Sequence, residues 1–170
     1  MFVLGIDPGL TRCGYGVIEG SFEGVESFTA LRAGTIETDP AHPVESRLGQ
    51  LLGELATLLD EVRPDAVVVE RVFYQRNAKT AIPVAQASGV AVALADSRGI
   101  AVRQFTAQEV KLAVTGYGAA SKEQVQGMVA RLCHLAQVPR PPDAADALGL
   151  AITYFMVARS ERKYPLDRGA

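Results

Sequence analysis

The sequence predicts an α/β fold: a mixed five-stranded sheet, hairpin strands first and parallel strands after, with helices on both faces. Three observations carry this expectation. The apolar run from Phe2 ends in Asp7-Pro8-Gly9, a strong turn signal, and a second apolar run starts at Gly14, so the two form a hairpin. From Glu45 to Val62, residues Leu48, Leu51, Leu52, Leu55, Leu58, Leu59 and Val62 fall on one helical stripe. Asp65 to Glu70 is then a continuous β-branched run, the pattern of a strand covered on both faces. A strand, helix, strand sequence makes a right-handed crossover, which lays the new strand parallel to the first.

The remaining elements follow in order. Val25 to Ile36 reads as a third strand, and Asp39-Pro40 and His42-Pro43 mark the loop behind it. In the helix that follows, Arg47, Gln50, Glu54 and Asp60 are assigned to the polar side, and Arg63-Pro64 ends it. Ala78 to Ser97 is a helix apolar all round, expected to be buried in the core or against another subunit. Ile100 to Phe105 is the last strand. Thr106-Ala-Gln-Glu109 and Ser121-Lys-Glu-Gln124 have capping-box spacing, so two short helices start there, joined by the bend Gly116 to Ala120. A proline-broken connection leads to a final helix opened by Asp143. Residues 1–158 are expected to form a single domain, and residues 159–170 a polar, frayed tail.

At 170 residues, 48% of them hydrophobic and 21% charged, the chain has the length and composition of one globular domain. No basic-then-apolar opening marks a secretory signal, and the longest weakly polar run, Ala81 to Ala95, is too short to span a bilayer. Cys13 and Cys133 make no metal or disulfide framework, so a cytoplasmic, reducing setting without membrane contact is expected. The net charge of −2 hides an uneven distribution. Residues 1–70 hold 12 acidic and 4 basic side chains, whereas residues 71–131 hold 8 basic and 3 acidic ones. A basic middle third is compatible with a phosphate-binding face, and equally with a solvated surface.

Parallel strands end on a common edge, so Glu70 should stand beside Asp7, where open α/β sheets place their ligands. Alone, Asp7 is ordinary turn chemistry and Glu70 a solvated strand end. Asp143 and Asp146, at i and i+3, share a helix face. Capping explains one acid at a helix start. The second, set among alanines, leaves open space around both carboxylates. His42 and His134 have no partners that suggest catalysis. Four clustered carboxylates repel unless cations neutralise them, and an oxygen-only set selects hard ions, Mg²⁺ or Mn²⁺, over zinc. Two such ions about 4 Å apart suit phosphodiester hydrolysis. The basic middle third then has a phosphate backbone as its natural substrate. Phe73 and Tyr74, beside Arg71 and Arg76, either fold into the core or stack on unpaired bases. On spacing alone, Lys111 and Lys122 are solvated helix-face residues.

Four segments resemble the RuvC family of Holliday-junction resolvases (crossover junction endodeoxyribonucleases), within the RNase H-like superfamily. They are Gly5-Ile-Asp7-Pro-Gly9 with Gly14-Tyr-Gly16, Val69-Glu70-Arg-Val-Phe73 through Asn77, Gly116-Tyr-Gly118-Ala-Ala-Ser-Lys122-Glu-Gln124, and Asp143-Ala-Ala-Asp146-Ala-Leu. They occur in family order and spacing across roughly residues 1–158. The resemblance implies an RNase H-like fold and a homodimer that binds a four-way DNA junction. It implies symmetric nicks in two strands of like polarity during homologous recombination and repair, leaving 5′-phosphate and 3′-hydroxyl ends. Asp7, Glu70, Asp143 and Asp146 match the family's catalytic, metal-binding acids, and the position of Asp143 may hold a His in other members. Phe73 matches an aromatic placed at the junction's unpaired bases, and Lys111 and Lys122 match basic positions that contact phosphate. Tyr74 and Arg76, in the same loop as Phe73, are further expected DNA contacts. The family works with the branch-migration partners RuvA and RuvB. Two departures stand out: Ser88 replaces a common family Arg in Ala85-Gln-Ala-Ser88-Gly89, and Arg140-Pro141-Pro142 precedes the last acidic pair. An actin-like ATPase or sugar kinase shares an Asp-Pro-Gly loop, but 170 residues cannot supply its two large lobes. A non-catalytic junction-binding module would favour losing the four negative charges.

Overall fold

The computed structural model describes residues 1–22, 28–71 and 78–163. The elements run β1 (Phe2–Asp7), β2 (Arg12–Gly20), β3 (Phe28–Glu37), α1 (Val44–Val62), β4 (Ala66–Glu70), α2 (Ala78–Ser97), β5 (Ala101–Phe105), α3 (Ala107–Thr115), α4 (Lys122–Leu132) and α5 (Pro142–Lys163). The sheet has five strands in the order β3-β2-β1-β4-β5. β1, β2 and β3 pair antiparallel as a meander, and β4 and β5 add parallel beside β1. This is the mixed sheet the sequence predicts. Its first half is hairpin-built because the turns are short, and its second half is parallel because α1 and α2 cross over between strands.

Side chains alternate between two apolar layers, as the period of a strand requires. Leu4, Ile6, Val67 and Val69 pack under α1 and α2 with Leu51, Leu55, Leu59, Ala87, Ala91 and Ala95. Val3, Ile18, Val68 and Phe105 pack under α3, α4 and α5 with Val110, Val125, Val129, Leu148, Ile152 and Phe155. Helices therefore cover both faces. No helix among the described residues is long and apolar enough to cross a membrane.

The third strand is seen over Phe28–Glu37, and residues 25–27 of the expected run lie outside the described residues. Three other local readings are revised. Arg47 is buried rather than on the polar side of α1. Its Nε donates to Thr38 Oγ1 at 2.9 Å and its Nη2 to Thr11 Oγ1 at 2.7 Å, tying α1 to the turn behind β1. α2 has the expected bounds but is covered by the core on one side, where Ala87, Ser88, Ala91 and Ala95 are buried, and it leaves Ile82 58% exposed. Finally, residues 159–163, read as the start of the tail, are helical: α5 continues to Lys163, and Glu161 meets Arg103 Nη2 at 2.9 Å.

Candidate active site

Two carboxylates meet because two parallel strands end together. Ile6 pairs with Val69, so Asp7 and Glu70 are the next residues on neighbouring strands, and Phe105 of β5 pairs with Glu70 on its other side. The turn after Asp7 is fastened from behind, since the Thr38 hydroxyl donates to the Leu10 carbonyl at 2.5 Å. The strand end that carries Asp7 is thus held by pairing on both sides and by the buried Arg47 network.

The other two acids arrive through a stripe of glycines. On the α5 side of the sheet, Gly5 pairs with Gly16 and Asp7 with Gly14. A methyl group at Gly5 would overlap the Ala147 carbonyl, and one at Gly14 would overlap that of Asp143. At Gly16 it would lie 2.7 Å from the Leu148 nitrogen. The backbone of α5 therefore lies directly on β1 and β2, as only a strand surface without side chains permits. The facing helix residues Ala144, Ala145, Ala147 and Ala151 are at most 1% exposed. These alanines fill the contact, and their smallness lets the helix seat its first turn beside Asp7 while Asp146 still faces the cleft. Pro142 occupies the first helical position, where a missing N–H costs nothing.

Asp7, Glu70 and Asp146 line a cleft of about 320 Å³ with Lys111, Lys122, Val110, Val125 and Leu150. Both predicted capping boxes are formed, at Thr106 with Glu109 and at Ser121 with Gln124. They fix the starts of α3 and α4, so Lys111 and Lys122 line the cleft, Lys122 while still more than half exposed. Gly116, at φ 73°, ends α3 in the left-handed region and turns the chain towards α4. Lys122 Nζ lies 2.6 Å from Asp146 Oδ2, and Gln126 Nε2 donates to Asp146 Oδ1 at 3.1 Å. At the outer edge, Arg12 Nη1 stands 3.8 Å from Asp143 Oδ2 and its Nε donates to Glu37 at 3.2 Å. Sequence reasoning missed Gln126 and Arg12. Gln126 had a readable signal, standing one turn after Lys122 on the same helix face.

The electrostatics report crowding of negative charge. Asp7 is pushed up to about 8, first by burial and then by the charges of Glu70, Asp146 and Asp143. Glu70 is also raised, chiefly by burial. Asp7 and Glu70 share a hydrogen bond that Asp7 donates in its neutral form, which raises Asp7 and offsets part of the rise at Glu70. A carboxyl that keeps its proton at neutral pH among three other acids marks a place where positive charge is in demand. An all-oxygen donor set at that place suits a hard divalent cation. In the arrangement seen, no three such side chains among the described residues converge to ligate one ion; the positive partners are Lys122 and Arg12. Both cysteines are buried and free, and burial pushes Cys13 up to about 12 and Cys133 to about 11, so neither suits a nucleophile. Phe73, Tyr74 and Arg76 lie outside the described residues.

The family of the crossover junction endodeoxyribonuclease RuvC matches residues 3–154 of this sequence. The chain belongs to the RuvC family. The RuvC of Salinispora arenicola is 52% identical over 154 residues, covering 91% of this chain and 87% of that protein. That of Thermomicrobium roseum is 48% identical over 161 residues, covering 94% and 96%. Among solved structures, Thermus thermophilus RuvC in complex with Holliday junction substrate superposes with a TM-score of 0.88 at 36% identity, covering 94% of this chain and 96% of that one. The yeast mitochondrial Holliday junction resolvase Ydc2 superposes at 0.70 with 15% identity over 95% of this chain and 80% of its own, a likeness of fold alone. The architecture is the RNase H-like one of these resolvases. Membership of the RuvC family implies a nuclease that requires a divalent metal.

Proposed function

We propose that this chain is a crossover junction endodeoxyribonuclease that resolves four-way DNA junctions in recombination and repair. The observation that carries the reading is the meeting of Asp7, Glu70 and Asp146 in one cleft beside Lys111 and Lys122, with Asp143 one helical turn before Asp146 on α5. In this reading the four acids would hold the divalent cation, Mg²⁺ or Mn²⁺ and two ions in all, and Asp7 has the other three acids as its charged neighbours. Bound there, such ions supply a Lewis acid that activates water and steadies the leaving oxygen. The chain's own groups do the rest. Glu70 and Asp146 flank Asp7 from β4 and α5. Lys111 and Lys122 attract the scissile phosphate and offset its charge. The apolar wall of Val110, Val125 and Leu150 narrows the cleft and limits access of bulk water.

The remaining expectations belong to the same proposal. Residues 1–158 form one nuclease domain that works in the cytoplasm as a homodimer, with RuvA and RuvB as its partners in branch migration. The exposed apolar side of α2 around Ile82 gives a second copy something to cover. Phe73, with Tyr74 and Arg76, meets the unpaired bases at the junction centre.

The test compares a synthetic mobile four-way junction with a linear duplex of the same sequence, each with Mg²⁺ and with Mn²⁺. The expected result is paired symmetric nicks in the junction only, with 5′-phosphate and 3′-hydroxyl ends. Equal nicking of the duplex, or an intact junction with both metals, overturns the proposal.

A further inference from the structure

Asp146 is gripped by both of its oxygens from a single helix face. Lys122 and Gln126 stand four residues apart on α4 and so present side chains side by side. Lys122 Nζ holds Oδ2 at 2.6 Å, and Gln126 Nε2 holds Oδ1 at 3.1 Å. The nitrogen end of the amide must face Asp146, because a carboxylate only accepts hydrogen bonds. α4 itself is well anchored: the Ser121 capping box fixes its start, and Val125 and Val129 are buried beneath it.

The two grips differ in kind. Lys122 is 56% exposed and brings a positive charge on a long flexible stem, so it neutralises Asp146 but competes with any cation for the same oxygen. Gln126 is half-buried and neutral. It fixes an oxygen without competing for charge. That matters because the terminal torsion of an aspartate is soft, and an unpinned carboxylate turns freely about it. We propose that Gln126 is a positioning residue: it pins Oδ1 of Asp146 so that Oδ2 is the oxygen presented to a divalent cation when Lys122 moves to the substrate phosphate. The inference rests on the reading of Asp146 as a metal-holding acid.

The experiment titrates Mn²⁺ into the DNA-free full chain by electron paramagnetic resonance, for wild type, Gln126→Leu and Gln126→Asn. Leucine keeps the bulk without a donor, and asparagine keeps the amide one methylene short of Asp146. Hydrogen bonds that orient a metal ligand are worth about 10–100-fold in affinity. Both variants are expected to bind Mn²⁺ weaker by that factor, with unchanged melting temperature in the absence of metal. Their junction cleavage should need correspondingly more Mn²⁺ and recover as the metal is raised, a pattern a purely structural role would not produce. Wild-type Mn²⁺ affinity in either folded variant overturns the role of Gln126. Absence of Mn²⁺ binding and cleavage in the wild type overturns the metal reading of the four acids, and Gln126 falls with it.

Discussion

Replacing Gly14 by alanine would place a methyl group between β2 and the first turn of α5. Its carbon would lie 2.7 Å from the Asp143 carbonyl carbon and 3.1 Å from the Asp143 Cβ, where ordinary contact begins at 3.4 Å. The start of α5 must then retreat by at least about 0.7 Å, the difference between those separations. Overpacking of this kind costs about 1–3 kcal/mol. For a domain of this size each kcal/mol is worth about 2–4 °C, so melting should fall by roughly 2–12 °C. The effect on chemistry should exceed the effect on stability, because a displacement near 1 Å at reacting groups costs up to about 100-fold in rate. The assay pairs thermal melting with single-turnover cleavage of a four-way junction at a temperature where both proteins are folded. Gly49→Ala on the exposed side of α1 is the control, since nothing lies within 4 Å of its added carbon. That change should stabilise by up to about 1 kcal/mol and leave cleavage unchanged. Cleavage at the wild-type rate by a folded Gly14→Ala protein would refute the argument that close seating of α5 sets the site.

Three further outcomes follow from the same geometry. Without divalent cation, Asp7 keeps its proton to about pH 8 in the folded chain, against 3.8 for an unperturbed carboxyl. The folded state then binds the extra proton, so its stability should fall as pH rises between those values. Mg²⁺ should therefore raise the melting temperature more at pH 8 than at pH 5, and cation binding near pH 7 should release about one proton. An equal Mg²⁺ effect at both pH values would count against this. Ser121→Ala removes the cap that accepts from Gln124, and should cost about 1 kcal/mol by thermal melting while lowering cleavage through the loosened first turn that carries Lys122. An unchanged melt would show that the cap is idle. Phe73→Ala should keep junction binding by gel shift and lose much of the cleavage; full cleavage would return Phe73 to a core role.

What could be read from the sequence was local or followed from a general rule. The β-branched run before Glu70 and the helix preceding it fixed a parallel pairing, and that pairing alone brought Glu70 to Asp7. The capping boxes at Thr106 and Ser121 located the starts of α3 and α4. Spacing did not show that Lys111 and the still exposed Lys122 line the cleft, because which way a helix face points depends on what it packs against. The glycines at 5, 14 and 16 were visible as strand residues within a family motif, but their use as a bed for α5 depends on a helix more than a hundred residues away. Arg47 looked solvent-facing on a helical wheel and is buried because Thr11 and Thr38 satisfy its guanidinium from other elements. The last turns of α5 looked like a tail because the Arg103–Glu161 pair that meets them is a tertiary contact, which local pattern does not display.

Cleavage of a mobile four-way junction by Asp7→Asn, in Mg²⁺ and in Mn²⁺, bears most directly on the claim that these carboxylates form a metal-dependent nuclease centre. The substitution keeps the shape of the side chain, and it replaces an acid that is already raised to about 8, so the fold should tolerate it. The account predicts that the variant binds the junction as tightly as wild type and cleaves it with neither metal. Cleavage at the wild-type rate by that variant would contradict it.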